Sequence, residues 1–140
     1  MSTTNTQNTL TIAPESGLNE GLVRELQARL LGEVKKLAGE DQALRQKLAS
    51  AEVATEHAVL DGAEEALSVE SNLEVINQLQ HERQELGAVQ AALDRIAAGE
   101  YGLCTDCGAP IGSARLEVVP EAAHCIGCQE AAERRAAHPH

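Results

Sequence analysis

Four cysteines near the carboxy-terminal end constrain this chain more than any other feature. Cys104 and Cys107 form one C-x-x-C pair and Cys125 and Cys128 another, with seventeen residues between the pairs. Two intervening residues let both thiolates of a tight turn face one ion, and a loop of that length is long enough to bring back the second pair. The chain has four cysteines in all, so one tetrahedral site uses every one. Such a site leaves no position for water, and a zinc ion held there is structural and not catalytic. Two disulfides would instead need an oxidising compartment. Met1 to Gly17 is polar and lacks the basic start and apolar run of a secretion signal. A redox C-x-x-C normally stands alone in a βαβ context, which this pattern lacks. His124, beside Cys125, is an alternative ligand in place of one thiolate.

Whatever surrounds that site has to fold almost without aromatic side chains. The 140 residues hold no Phe, no Trp and one Tyr, Tyr101. Aromatic side chains usually dominate core burial, so the core must come from Leu, Val, Ile and Ala. The abundance of Ala, Leu, Glu, Gln and Arg is the composition of long helices and coiled coils. No apolar run approaches the roughly 20 residues that span a bilayer, so the protein is expected to be soluble and cytoplasmic, with no membrane partner. The formal net charge of -11 repels a phosphate backbone. The segment Glu100 to Arg135 carries three arginines and no lysine, and no basic stripe with interleaved aromatics offers a nucleic-acid surface. Direct nucleic-acid binding is therefore not expected.

Along the chain, 1–17 reads as a disordered tail, rich in Thr, Asn and Ser. The segment 18–99 reads as a coiled-coil hairpin with its tip near 60–66. Leu30, Val34, Leu37, Asp41, Leu44, Leu48, Ala51, Thr55 and Ala58 follow alternating steps of four and three, a heptad seam interrupted by Asp41 and Thr55. Asp61-Gly62 is a turn signal. Val75, Leu79, Glu82, Leu86, Val89, Leu93 and Ile96 form a second seam with the same steps. Two seams of similar length joined by a break predict an antiparallel helical hairpin; one continuous helix that dimerises is the alternative. Gly99 is placed to end the second arm. The segment 100–137 reads as a zinc-finger module with a short terminal helix over Glu130 to Ala137 that begins at or near the second cysteine pair, and 138–140 as a frayed end. The fold class is thus mostly α: a long antiparallel helical hairpin, then a small four-cysteine zinc finger and a short C-terminal helix. His57 and His81 fall on polar faces of the arms.

The residues between the cysteines are as informative as the cysteines. Gly102-Leu103-Cys104-x-x-Cys107-Gly108-x-Pro110-Ile111-Gly112, then Arg115-Leu116-Glu117, Pro120 and Cys125-Ile126-x-Cys128, resemble the zinc module of the DksA/TraR family, over about Leu93 to Glu130. The resemblance implies a regulator that binds RNA polymerase and not DNA. It also implies a coiled-coil hairpin inserted into the secondary channel, with an acidic tip near the catalytic centre. The family tip signature Asp-x-x-Asp-x-Ala aligns with Asp61, Glu64 and Ala66, where Glu64 keeps the charge but carries it one methylene further from the backbone. In long members of the family, basic residues help to hold guanosine tetraphosphate. The matching positions here are Ala88, Val119 and Gln129, none of them charged, which implies a weak response to that alarmone.

The expected function is transcription regulation through RNA polymerase by a monomer carrying one structural zinc. The alternative is a zinc-stapled coiled-coil adaptor for another protein partner. An enzyme is not expected, because the zinc site is closed and no nucleophile stands beside a base.

Overall fold

Asn19 starts the first long helix. Its side-chain Oδ1 accepts from the Leu22 N–H at 2.8 Å and its carbonyl from the Val23 N–H at 3.1 Å, satisfying donors that a helix start leaves unpaired. Helix α1 then runs Glu20–Asp61 and α2 runs Ala66–Ala98. Neither contains proline, so nothing removes a ladder hydrogen bond. Glu20, in the first turn of α1, pairs with Arg24 at 2.8 Å. Gly99 ends α2 in the left-handed region, φ 76°. There its N–H donates to Ile96 O at 3.1 Å and the Glu100 N–H to Arg95 O at 2.9 Å, the end that the sequence predicts. The computed structural model of the protein describes residues 10–61 and 66–137, with side chains given outside 51–71. Two short helices follow, α3 over Ser113–Val118 and α4 over Ile126–Ala137. No strand occurs among the described residues, only one isolated bridge between Leu103 and Pro110.

The chain divides into two compact units, Glu33–Gly87 and Met1–Gly32 with Ala88–His140. In the first, the predicted seam positions Leu37, Asp41, Val75 and Leu79 are buried, and Val34, Leu44, Leu48, Glu82 and Leu86 are half-buried. Asp41 meets Arg83, and Lys47 shares a cleft with Glu74, Val75 and Gln78. Moving forward along α1 moves back along α2, so these arms are antiparallel. Two of the polar interruptions, Asp41 and Glu82, lie near each other. Asp41, only 8% exposed, takes Arg45 Nε on Oδ2 at 2.8 Å and Arg83 Nε on Oδ1 at 3.2 Å. Nearby, burial and the Glu40 carboxylate push the Glu82 carboxyl above the ordinary glutamate range. A charged cluster inside a seam costs stability, but it favours the one register that pairs the charges.

The second unit holds the largest fully buried side chains among the described residues: Val23, Leu26, Leu30, Val89, Ile96 and Leu116. Four of the six are leucine or isoleucine, as a nearly aromatic-free composition requires. Tyr101, Cys104, Ile111 and Ala122 are buried with them. The boundary expected at 99/100 coincides with the end of α2, not with the edge of a compact unit.

Of the segment 1–17, residues 10–17 are described, and they are held in place. A 3-10 turn spans Pro14–Ser16. Ala13 and Ser16 are buried, and the Ser16 hydroxyl donates to Ala13 O at 2.7 Å. The strap lies on two glycines. A Cβ at Gly99 would meet Thr11 Cγ2 at 2.8 Å, and one at Gly102, φ 94°, would meet Leu18 Cδ1 at 2.6 Å. Polar composition predicts a free tail, but close approach to backbone without side chains gives this segment a surface to pack on.

Candidate zinc centre and hairpin tip

The first cysteine pair sits on a tight knuckle. The Cys104 N–H donates to Ala109 O at 2.8 Å and the Gly108 N–H to Cys104 O at 2.9 Å. Gly108 turns the chain with φ 78°, a conformation that costs glycine little. The Ile111 N–H closes the base of the knuckle on Gly102 O at 2.8 Å. The second pair opens α4. Cys125 precedes its first residue, and the Cys128 N–H donates to Cys125 Sγ at 3.4 Å. The terminal helix begins at Ile126, between the two cysteines of this pair, in line with a start at or near them.

The fold brings all four sulfurs together. Cys104, Cys107, Cys125 and Cys128 place their Sγ atoms within 4.8 Å of one another, with Cys107 and Cys125 at 3.7 Å. A tetrahedron of zinc–sulfur bonds of about 2.3 Å has edges of about 3.8 Å, so the set has the right size. The crowded thiols also perturb one another. Burial pushes the Cys104 thiol up, but the N–H groups of Cys107, Cys125 and Asp106 outweigh it and hold it at about 6. Hydrogen bonding with Cys125, Cys104 and Cys107 pushes the Cys128 thiol up to about 12. Metal-free, these sulfurs share protons; a divalent ion that takes four thiolates releases them. The donor set fits one structural zinc ion and keeps no open position for chemistry. His124 is not in the cluster; its Nε2 lies 3.5 Å from Asp106 Oδ2.

Arg115 of the motif, and three residues to which the sequence assigned no role, hold the loop between the pairs. Arg29 Nη1 donates to Glu117 O at 2.7 Å, Tyr101 Oη to Pro120 O at 2.7 Å, and Arg115 Nε to His124 O at 3.2 Å. Arg95 Nη2 reaches both Glu121 O and Ala122 O at 3.4 Å. The missed helix α3 carries Arg115 and buries Leu116. The usable signals were the lone tyrosine and an arginine in the last turn before a glycine cap; nothing marked Arg29.

The tip is less fully described. Asp61 is the last residue of α1 and Ala66 the first of α2. Glu64, the side chains of Asp61 and Ala66, and that of His57 lie outside the described residues. His81 is exposed, with Nε2 3.1 Å from Glu85 Oε1. Ala88 is exposed, and Val119 and Gln129 are half-buried.

A four-cysteine knuckle seated on the base of a helical hairpin defines the class: a C4-type zinc-finger protein with a coiled-coil arm. Residues 99–134 match the prokaryotic dksA/traR C4-type zinc finger. The chain is 43% identical over 54 residues to the RNA polymerase-binding transcription factor DksA of Caulobacter vibrioides, covering 39% of this chain and 38% of that protein. It is 38% identical over 66 residues to the protein of that name in Haemophilus influenzae, covering 47% and 45%. The match to the Escherichia coli K12 protein is 36% over 66 residues, covering 47% and 43%. These alignments thus span less than half of the relatives' own length. The structure of transcription factor DksA2 from Pseudomonas aeruginosa superposes with a TM-score of 0.72 at 29% identity, covering 86% of this chain and 89% of that one. Together the matches show a dksA/traR C4-type zinc finger over residues 99–134 and a fold similar to that of DksA2. No helix among the described residues is long and apolar enough to cross a membrane.

Proposed function

We propose that this chain is a cytoplasmic, non-enzymatic transcription regulator that binds RNA polymerase as a monomer and places the tip of its helical hairpin in the secondary channel, without contacting DNA directly. One observation carries this reading: the chain joins a C4 zinc knuckle to a helical hairpin, as the family does, and its relatives are named RNA polymerase-binding transcription factors. Cys104, Cys107, Cys125 and Cys128 hold one zinc ion that pins the module to the hairpin base. Asp61, Glu64 and Ala66 are the tip residues of this reading, and Asp61 and Glu64 supply its carboxylates. A hairpin keeps its backbone hydrogen bonds internal, so it can carry charge into a narrow channel without unsatisfied donors. The net charge of -11 disfavours a nucleic-acid partner.

The test is co-purification with RNA polymerase, followed by cross-linking from position 61 into the channel. Asp61→Asn should impair regulation of a sensitive promoter while polymerase binding survives. Glu64→Asp, which restores the family signature, should keep or strengthen it. Parental behaviour from both variants in transcription assays would remove the tip from the mechanism. With no basic residue at Ala88, Val119 or Gln129, guanosine tetraphosphate should add little; strong enhancement would contradict this.

A further inference from the structure

The loop that delivers the second cysteine pair is held almost entirely by its carbonyls. Every backbone carbonyl from Val119 to Cys125 accepts a hydrogen bond. Val119 O takes the Ala122 N–H at 3.0 Å, and Pro120 O takes the Tyr101 hydroxyl at 2.7 Å. Glu121 O and Ala122 O share Arg95 Nη2. Ala123 O takes the Thr105 N–H at 2.9 Å and the Thr105 hydroxyl at 3.2 Å. His124 O takes Arg115 Nε, and Cys125 O takes the Gln129 N–H at 2.9 Å. Two of these donors come from the end of the hairpin arm. Arg95 is in the last turn of α2, and Tyr101 lies two residues beyond Gly99. Arg29 of α1 holds the start of the same stretch at Glu117 O.

We propose that Tyr101 and Arg95 are positioning residues for the zinc site: they pre-set the backbone of 120–122 so that Cys125 and Cys128 stand ready to meet Cys104 and Cys107. This rests on the reading of the four cysteines as a zinc site. Neither residue touches a sulfur; each acts through the carbonyls it holds. Tyr101 is 3% exposed, so its hydroxyl has little water to turn to in place of Pro120 O. Arg95 is more loosely engaged. Both its contacts are long, and its buried Nε has no partner among the described residues. A loop left slack must be ordered when the metal binds, and that entropy is then subtracted from affinity. Coupling of this kind is reciprocal. The zinc ion that gains from the clamp should in turn steady the end of α2.

The experiment measures zinc affinity by chelator competition, and site geometry by the visible spectrum after cobalt substitution, in the full chain. Tyr101→Phe keeps the ring and removes one donor. It should weaken zinc by roughly three- to ten-fold, the equivalent of one net hydrogen bond. Helix content should stay at the parental level, and cobalt should retain a tetrahedral thiolate spectrum. Arg95→Met keeps the stem and should do the same, while Arg95→Lys should restore part of the loss. Arg83→Gln, in the other compact unit, should leave zinc affinity alone. Zinc should slow amide exchange at residues 95–100 in the parent and less so in Tyr101→Phe. Affinities of Tyr101→Phe and Arg95→Met within two-fold of the parent would overturn the proposal while leaving the zinc site standing. A folded parent that binds no zinc at all would overturn both.

Discussion

Asp41 sits at a seam position that heptad spacing reserves for an apolar side chain, so replacing it with leucine tests how the arm is stabilised. Three contributions decide the outcome of Asp41→Leu. A leucine buried to the same depth contributes about 1.5–3 kcal/mol. Against this stand two ion pairs, to Arg45 and Arg83. Those arginine side chains are 61% and 52% exposed, so solvent screens them and each pair is worth about 0.2–1 kcal/mol. Both arginines can turn to water when the carboxylate goes. The third contribution favours the variant as well: Asp41 is one of the charges that push Glu82 up, and its removal relieves that repulsion. The net expectation is about 1 kcal/mol of added stability, or a rise of roughly 4–8 °C in the thermal midpoint of a unit this small. Arg83→Gln alone should cost less than about 1 kcal/mol, because Asp41 keeps Arg45. Thermal and urea unfolding followed by far-UV circular dichroism reads both. A lower midpoint for Asp41→Leu would refute the reasoning. It would mean that the charge cluster, and not apolar burial, holds these arms together.

Other outcomes follow from the second unit. Cys128→Ser should reduce zinc content from near one per chain and loosen 100–137 while much of the hairpin stays helical; metal analysis with amide exchange checks it. Gly102→Ala must carry a Cβ at φ 94° and 2.6 Å from Leu18 Cδ1, so it should cost on the order of 2 kcal/mol and speed amide exchange across residues 11–18; parental exchange there would show that the strap does not bear on Gly102. Burial pushes the Tyr101 phenol from 10 up to about 12. An acid whose folded pKa is raised stabilises the fold fully below its unfolded pKa, and that stability is lost as pH rises through the folded value. Stability on the order of 2 kcal/mol should therefore disappear between about pH 10 and pH 12. An absorbance titration of the phenolate follows a single residue, since Tyr101 is the chain's one aromatic. A midpoint near 10 with the helices intact would refute the burial argument.

Much of this protein is legible because its strongest constraints are local and periodic. A C-x-x-C pair needs only a turn to aim two sulfurs, and a heptad needs only helical geometry to form a seam. Asp41, Glu82, Leu37, Val75 and Leu79 therefore fall where the spacing puts them, and Gly99 ends α2 because a left-handed residue there needs no side chain. What the spacing could not determine depends on partners far apart in sequence. Residues 10–17 are held because Gly99 and Gly102 present bare backbone to Thr11 and Ser16. Helix α3 is short, and its sequence SARLEV carries too few turns for a periodic signal; Leu116, buried beneath it, makes it worth forming. The compact unit that joins the zinc module to residues 88–99 likewise follows from Arg29, Arg95 and Tyr101 reaching carbonyls 19 to 88 residues away. A carbonyl has no sequence signature, since every residue has one, so only the tertiary structure could decide which of them these side chains would find.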